Sequence, residues 1–286
     1  LDAESVMMGW QYPGAASDDA LVAEVAASVL YNGSAGLIDL NVNQQQKTLG
    51  VFAGESLQPD YGMMVMQGRP KAGQSLEEVR DLMLAEMEKL RRGEWDESLL
   101  EASINNLKAG MMQTMDSNEG RADMFVDAFV NGEAWADVVA TADRLSQITK
   151  EQVVAWANEK LGAENYAIIY KRQGIDPTEQ KISKPAITPI VTNRDKQSAF
   201  LTEIQNSVVE PIEPKFFDPK SDVERFTLSN GVEVLYKQNT TTDLYSLSYF
   251  YNTGTEDTPS LGMACNYWDF LGTTSHTAEE LAVELY

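Results

Sequence analysis

The sequence predicts an α+β fold in which an antiparallel-rich sheet is covered on one face by long helices. Three observations support this prediction: apolar strand-like runs come first, a block of amphipathic helices follows, and a single strand returns at the end. The strand-like runs are Ser5–Tyr12, then LGVFAG and YGMMVMQG in the region that begins at Leu37, with Pro59-Asp60 as a hairpin turn between the last two. The returning strand is Asn165–Lys171.

Capping signals divide the helical block into separate helices. Polar side chains that accept hydrogen bonds from the first turn of a helix mark its start. The expected caps are Asp18, Ser75 with Glu78, Asp96, Ser117, and Thr149 with Gln152, and a shorter helix is predicted over Trp135–Leu145. These helices complete a first unit at residues 1–173.

The distribution of proline predicts a linker after the first unit. Six of the ten prolines lie between Gly174 and Asp222, where they disfavour long regular structure. We therefore predict an inter-domain linker at residues 174–222, containing one short docking helix at Phe200–Val208. An incomplete second α+β unit follows at 223–286, with a hairpin turn at Asn230-Gly231, a strand in DLYSLSYFYNTG and a helix in AEELAVELY.

Composition excludes several classes of function. The net charge of −22 repels phosphate backbones and anionic lipid surfaces, so nucleic acid and membrane partners are not expected. No apolar run approaches the roughly 20 residues of a transmembrane helix, and Cys265 is the single cysteine. The start at Leu1, without a signal-like segment, predicts that residues preceding it are missing from this sequence. The compartment stays open among cytosol, organelle and a bacterial cell envelope or periplasm.

Two features of the first unit have structural rather than functional interpretations. The methionine clusters MMVM and MMQTM are typical of gap-filling core residues, and the acidic helix faces carry interspersed Lys and Arg, which is typical of a solvated surface. The chain has no glycine-rich phosphate loop and no G-x-S-x-G motif. The first unit is therefore predicted to be structural.

Short motifs after the linker resemble the opening of an M16 peptidase domain. M16 is the insulinase and pitrilysin family of zinc metallopeptidases. They are Leu228–Val232, Thr253–Glu256, Gly262-Met263-Ala264 and Gly272-Thr273. The segment Ile148–Gly174 is similar to the end of the family's second subdomain. The resemblance implies two homologous halves, joined by a linker and closed around a peptide. This chain would then hold the end of the N-terminal half, the linker and the start of the C-terminal half.

The family's zinc motif, His-x-x-Glu-His on a helix, is degenerate in this sequence. Its matching positions are Cys265, Trp268 and Asp269. Two histidines four residues apart would share Zn²⁺ on one helical face, and the glutamate would take a proton from zinc-bound water. Tryptophan is no base, so we predict no catalytic and no metal residue here, although Cys265 and Asp269 leave a residual zinc site as an alternative. His276 is expected in a solvated turn.

The resemblance implies a non-catalytic fragment of a zinc metalloendopeptidase that forms chamber wall and hinge. Zinc, a peptide or protein substrate, the missing N-terminal catalytic domain and the rest of the C-terminal half would belong to the parent protein. Substrate-holding residues would follow Tyr286, so none is assigned. One alternative is a pseudo-peptidase subunit without metal in either half, and another is a binding module unrelated to proteolysis. Exposed aromatics at Tyr249–Tyr251 predict packing on the first unit or self-association.

Overall fold

The computed structural model describes residues 3–174, 178 and 182–286. The chain divides into two compact units, one made by Leu1–Gly174 with Thr241–Tyr286 and the other by Ile175–Thr240. Within the described residues, no helix combines the length and the apolar composition that crossing a bilayer requires.

The first unit is built on a four-stranded antiparallel sheet. Its strands are β1 (Ser5–Pro13), β2 (Gly50–Leu57), β3 (Tyr61–Arg69) and β4 (Ala167–Lys171), in the order β2-β3-β1-β4. The returning strand β4 pairs with β1, so that the segment that closes the unit lies beside the one that opens it. The predicted hairpin and the predicted return are both confirmed.

One face of the sheet is buried under helices. Alternate residues of β1, namely Val6, Met8, Trp10 and Tyr12, are buried, as a strand with one covered face requires. On the other face Ile169 is 63% exposed. The methionines of the MMVM run follow the same rule, because Met64 and Met66 are fully buried. The α+β fold with helices on one face is therefore confirmed.

Seven α-helices are described between residues 19 and 160. They are α1 (Asp19–Leu30), α2 (Leu76–Arg92), α3 (Glu97–Asp116), α4 (Asn118–Asn131), α5 (Trp135–Val139), α6 (Thr141–Leu145) and α7 (Lys150–Lys160). The capping boxes at Ser75 and Thr149 both form. The helix predicted over Trp135–Leu145 is two short helices, because Ala140 (ψ −1°) interrupts the helical backbone.

The predicted cap at Asp18 is wrong. Asp18 has helical backbone angles, φ −65° and ψ −16°, and its side chain makes no capping hydrogen bond. A capping side chain reaches the first turn from an extended backbone, and Asp96 and Ser117 have that conformation. The chain enters α1 instead through a tight turn in which the Ser17 amide donates to the Gly14 carbonyl at 3.0 Å.

The remaining elements are short. The second unit contains α8 (Ala199–Asn206) and a hairpin of β5 (Glu224–Thr227) and β6 (Glu233–Tyr236), with Gly231 at φ +86° in its turn. Residues 241–286 contain α9 (Leu261–Asn266), a 3₁₀ turn (Trp268–Phe270) and α10 (Ala278–Leu285). The strand predicted in DLYSLSYFYNTG is not formed: in the described structure this segment has no strand to pair with, and Tyr245 and Phe250 are more than 90% exposed.

Candidate functional site

The degenerate motif lies across a break between two kinds of helix. Cys265 belongs to α9, which ends at Asn266, whereas Trp268 and Asp269 form the 3₁₀ turn that follows. A 3₁₀ turn has three residues per turn rather than 3.6. Cys265 and Asp269 therefore do not share one continuous α-helical face. Cys265 is exposed and Trp268 is 65% exposed, so neither is held in a closed site.

Trp268 and Asp269 line a cavity of about 430 Å³ together with the segment that follows α1. Tyr31 and Asp39 belong to the wall that this segment forms. The Gln44 Nε2 donates to the Asp269 carbonyl oxygen at 3.0 Å, which ties the 3₁₀ turn to this wall. Cys265 does not line the cavity, so only two of the three motif positions reach it.

The strongest anchor of this wall is Asp39, which begins a π-helical turn at Asp39–Asn43. One oxygen of its carboxylate, Oδ2, accepts from the backbone amides of Asn32, Gly33 and Gly36 at 2.9, 3.0 and 3.1 Å. Burial raises the pKa of Asp39, while these donors act in the opposite direction. The carboxylate is thus occupied in holding its own loop.

A second cavity, of about 580 Å³, lies beside α10. Leu37, Trp95 and Leu99 give it apolar walls, and Val283 closes one side. Its polar lining includes Asn41 and Lys89, and both of these side chains bind the buried Glu86 carboxylate, at 2.8 and 2.9 Å. The Asn41 and Lys89 side chains are thus occupied by Glu86.

A third polar site joins α1 to the hairpin. Glu24 and Glu55 line a cavity of about 550 Å³ with Ser28 and Asn106. Burial, and next the charge of Glu55, raise the pKa of Glu24 to about 7. Tyr286 reaches the same cavity, where its hydroxyl lies 3.0 Å from Ser28 Oγ. The site holds a protonatable carboxyl group, but nothing in it orients a second reacting group.

The donor set does not fit a zinc ion. Zinc sites need three or four converging Cys, His or carboxylate ligands, and no such group of three exists within the described part of the chain. His276 lies in the loop before α10, and its Nδ1 is 2.9 Å from Ser275 Oγ. Cys265 and Asp269 alone would leave two positions unfilled, and Trp268 supplies no base.

The fold recurs in solved peptidase structures. An inactive peptidase domain of a candidate zinc protease from Bordetella parapertussis matches with 19% identity and a TM-score of 0.54, covering 61% of this chain and 94% of that one. A protease from Helicobacter pylori matches with 17% identity and a TM-score of 0.57, covering 60% of this chain and 42% of that one. The chain thus spans less than half of the H. pylori protein. The sequence has no match among curated proteins.

Together these observations show an α+β fold that recurs in peptidase structures, and among the described residues Cys265 and Asp269 are not joined by a third metal-type ligand. Residues 2–107 match the model of the peptidase M16 inactive domain. Residues 2–107 are therefore similar to the inactive domains of M16 peptidases, and the family resemblance inferred from the sequence is confirmed.

Sequence reasoning missed Asp39 and the Glu24–Glu55 pair. The dipeptide Asn32-Gly33 predicts a turn, and the backbone amides of a turn can donate to a nearby Asp side chain. Asp39 follows this turn in the sequence, so its role could have been predicted. The proximity of Glu24 and Glu55 had no local signal, because it depends on α1 crossing β2.

Proposed function

We propose that this chain is a non-catalytic part of an M16 zinc endopeptidase, serving as wall of the substrate chamber and as hinge between the halves. The observation that carries the proposal is the match of residues 2–107 to the inactive M16 domain. The degenerate positions Cys265, Trp268 and Asp269 support it, since they provide neither a ligand set nor a base.

The same proposal assigns roles to the parts of the chain. Residues 1–173 are the second subdomain of the N-terminal half, 174–222 the linker, and 223–286 the start of the C-terminal half. Zinc and the catalytic glutamate belong to another part of the parent protein. The proline content of residues 174–222 supports the linker assignment, because proline-rich segments act as semi-rigid spacers.

The first test measures activity and metal content of the chain as it stands. We expect no hydrolysis of a quenched fluorescent peptide library and less than one zinc per chain after dialysis, as measured by elemental analysis. Hydrolysis that a chelator abolishes would contradict the proposal. Cys265→Ser with Asp269→Asn is the matched variant: a bound zinc that disappears in it would place a residual site at these residues.

The second candidate function is a pseudo-peptidase subunit that supports an active partner. The degenerate motif also favours it, since a protein without metal in either half would look the same over these residues. Reading the coding sequence upstream of Leu1 separates the two. An intact His-x-x-Glu-His there supports the endopeptidase, and a second degenerate motif supports the pseudo-peptidase.

A further inference from the structure

Helix α4 has almost no cover within its own unit. Of its 14 residues (Asn118–Asn131), only Ala128 is buried. Most helices of globular proteins depend on packing of an apolar face for their stability. Four large apolar side chains of α4 instead point outward: Phe125, Val126, Phe129 and Val130, which we call the α4 face. They are between 56% and 88% exposed.

The α4 face is ordered and continuous. Its residues recur at i and i+4, so they form one stripe along the helix. Trp135 of α5 extends it, since its ring stacks on Phe125 with centroids 4.2 Å apart. Both ends of the helix are fixed, because Ser117 Oγ accepts from the Gly120 amide at 2.9 Å and Gly132 adopts the left-handed conformation at the C-cap. A stripe of this size on a capped helix is typical of an interaction surface.

The charge beside the α4 face restricts its partner. Glu119, Asp123 and Asp127 follow the same four-residue spacing along one border of the stripe, and we call them the acidic edge. All three are exposed, and among the described residues none forms an ion pair with Lys or Arg. The nearby cation, Arg121, is already bonded to the Met115 carbonyl and to Asn118 Oδ1.

We propose that the α4 face binds another polypeptide through a helical apolar surface whose border carries Lys or Arg. Helix-on-helix packing matches a single exposed stripe, and basic residues on the partner would pair with the acidic edge. A second copy of this chain is disfavoured: its own border is acidic, and both copies carry a net charge of −22. This inference is independent of the proposed chamber and hinge roles.

The test uses two labelled synthetic helices with the same Leu/Phe stripe, each about 18 residues long so that it is helical alone. One has Lys along its borders and the other has Glu. Fluorescence anisotropy with the full chain at roughly 50 mM salt should show the Lys-edged peptide binding about tenfold more tightly. Equal affinity for both peptides, or binding of neither, would overturn the proposal.

Two variants make the test specific to this surface. Phe129→Asp should abolish binding, whereas Ile169→Asp, a change at a similarly exposed apolar residue on the open sheet face, should leave it unchanged. Asp123→Lys with Asp127→Lys should reverse the preference towards the Glu-edged peptide. Circular dichroism confirms that each variant folds. If light scattering shows a dimer of the chain that Phe129→Asp dissociates, the face binds a second copy and the proposal fails.

Discussion

At the scale of single residues, buried carboxyl groups mark where this domain departs from a simple apolar core. Asp39 and Glu86 are buried and accept hydrogen bonds. Glu24 instead lies near a second carboxylate, Glu55, whose charge adds to the effect of burial in raising the pKa of Glu24. Removing a bonded carboxylate leaves its buried donors without an acceptor, whereas an unpaired buried carboxylate costs free energy when it ionises. Replacing a carboxylate by a neutral side chain should therefore lower the free energy of unfolding at Asp39 and raise it at Glu24.

Glu24→Gln should stabilise the protein above neutral pH. The folded pKa is about 7 and the ordinary value 4.5, so the unfolded chain loses this proton first as pH rises. The free energy of unfolding therefore falls by about 3 kcal/mol between about pH 4.5 and pH 7, and the loss is complete above pH 7. Urea unfolding at pH 4.5 and pH 8 should show a gain for Glu24→Gln at pH 8 only.

Glu55→Gln is the control for that experiment. It removes the second cause of the raised pKa of Glu24 but leaves burial, the larger cause, in place. Its effect at pH 8 should have the same sign and be smaller. A gain for Glu24→Gln that is equal at both pH values would contradict titration as the cause.

Asp39→Ala should destabilise the first unit by about 2–4 kcal/mol. Three backbone amides that now donate to Oδ2, one of them buried and two partly buried, would lose their acceptor. Asp39→Asn keeps one oxygen and should lose less. Chemical denaturation measures both, with Asp60→Ala in the exposed hairpin turn as the control. A loss for Asp39→Ala no greater than that control would show that the loop does not depend on the carboxylate.

At the scale of elements, caps determine where helices begin only when the backbone places the side chain correctly. Thr149→Ala should cost about 1 kcal/mol, because the Gln152 amide loses its acceptor, Thr149 Oγ1, while the reciprocal bond from the Thr149 amide to Gln152 Oε1 can remain. Asp18→Ala should leave stability unchanged, since Asp18 makes no capping bond. Thermal unfolding of the two variants compares them directly, and an equal loss in both would contradict this assignment.

The sequence was sufficient for most elements of the first unit because their signals are local. Ser75, Asp96, Ser117 and Thr149 each mark a helix start through bonds made within one turn. The two wrong predictions, a strand in DLYSLSYFYNTG and a cap at Asp18, concern features that depend on contacts outside the local sequence. DLYSLSYFYNTG has the composition of a strand but no neighbouring strand in the described residues, and Asp18 was placed in helical geometry by the turn after Gly14.

For the candidate site, the sequence predicted which residues occupy the motif positions but not how they are arranged in space. Cys265, Trp268 and Asp269 could be located by their alignment with the family motif, and the chemistry they lack followed from their side chains alone. The break of α9 at Asn266 could not be foreseen, because helical spacing continues through it. The cavity that Trp268 and Asp269 share with Tyr31 and Asp39 joins segments more than 200 residues apart, and no local pattern encodes such a contact.

At the scale of the whole molecule, charge opposes compactness. The chain carries 44 acidic and 22 basic residues. Most ion pairs among the described residues, such as Arg92–Glu88 and Arg225–Glu233, lie on the surface, where each contributes at most about 1 kcal/mol. Screening by salt weakens those pairs as well as the repulsion among the excess carboxylates. Because acidic residues outnumber basic ones two to one, the loss of repulsion should dominate.

The thermal midpoint should therefore rise between about 20 mM and 500 mM NaCl, a range in which the screening length falls from tens of ångströms to a few. KCl should give the same increase, because screening depends on ionic strength rather than on the cation. Calorimetry at pH 8 makes the measurement. At pH 4.5, near the isoelectric point of 4.3, the increase should largely vanish since the repulsion is gone. A midpoint that falls with salt at pH 8 would mean that surface ion pairs outweigh repulsion, and the charge excess would then need local compensation by a basic partner such as the one inferred for α4.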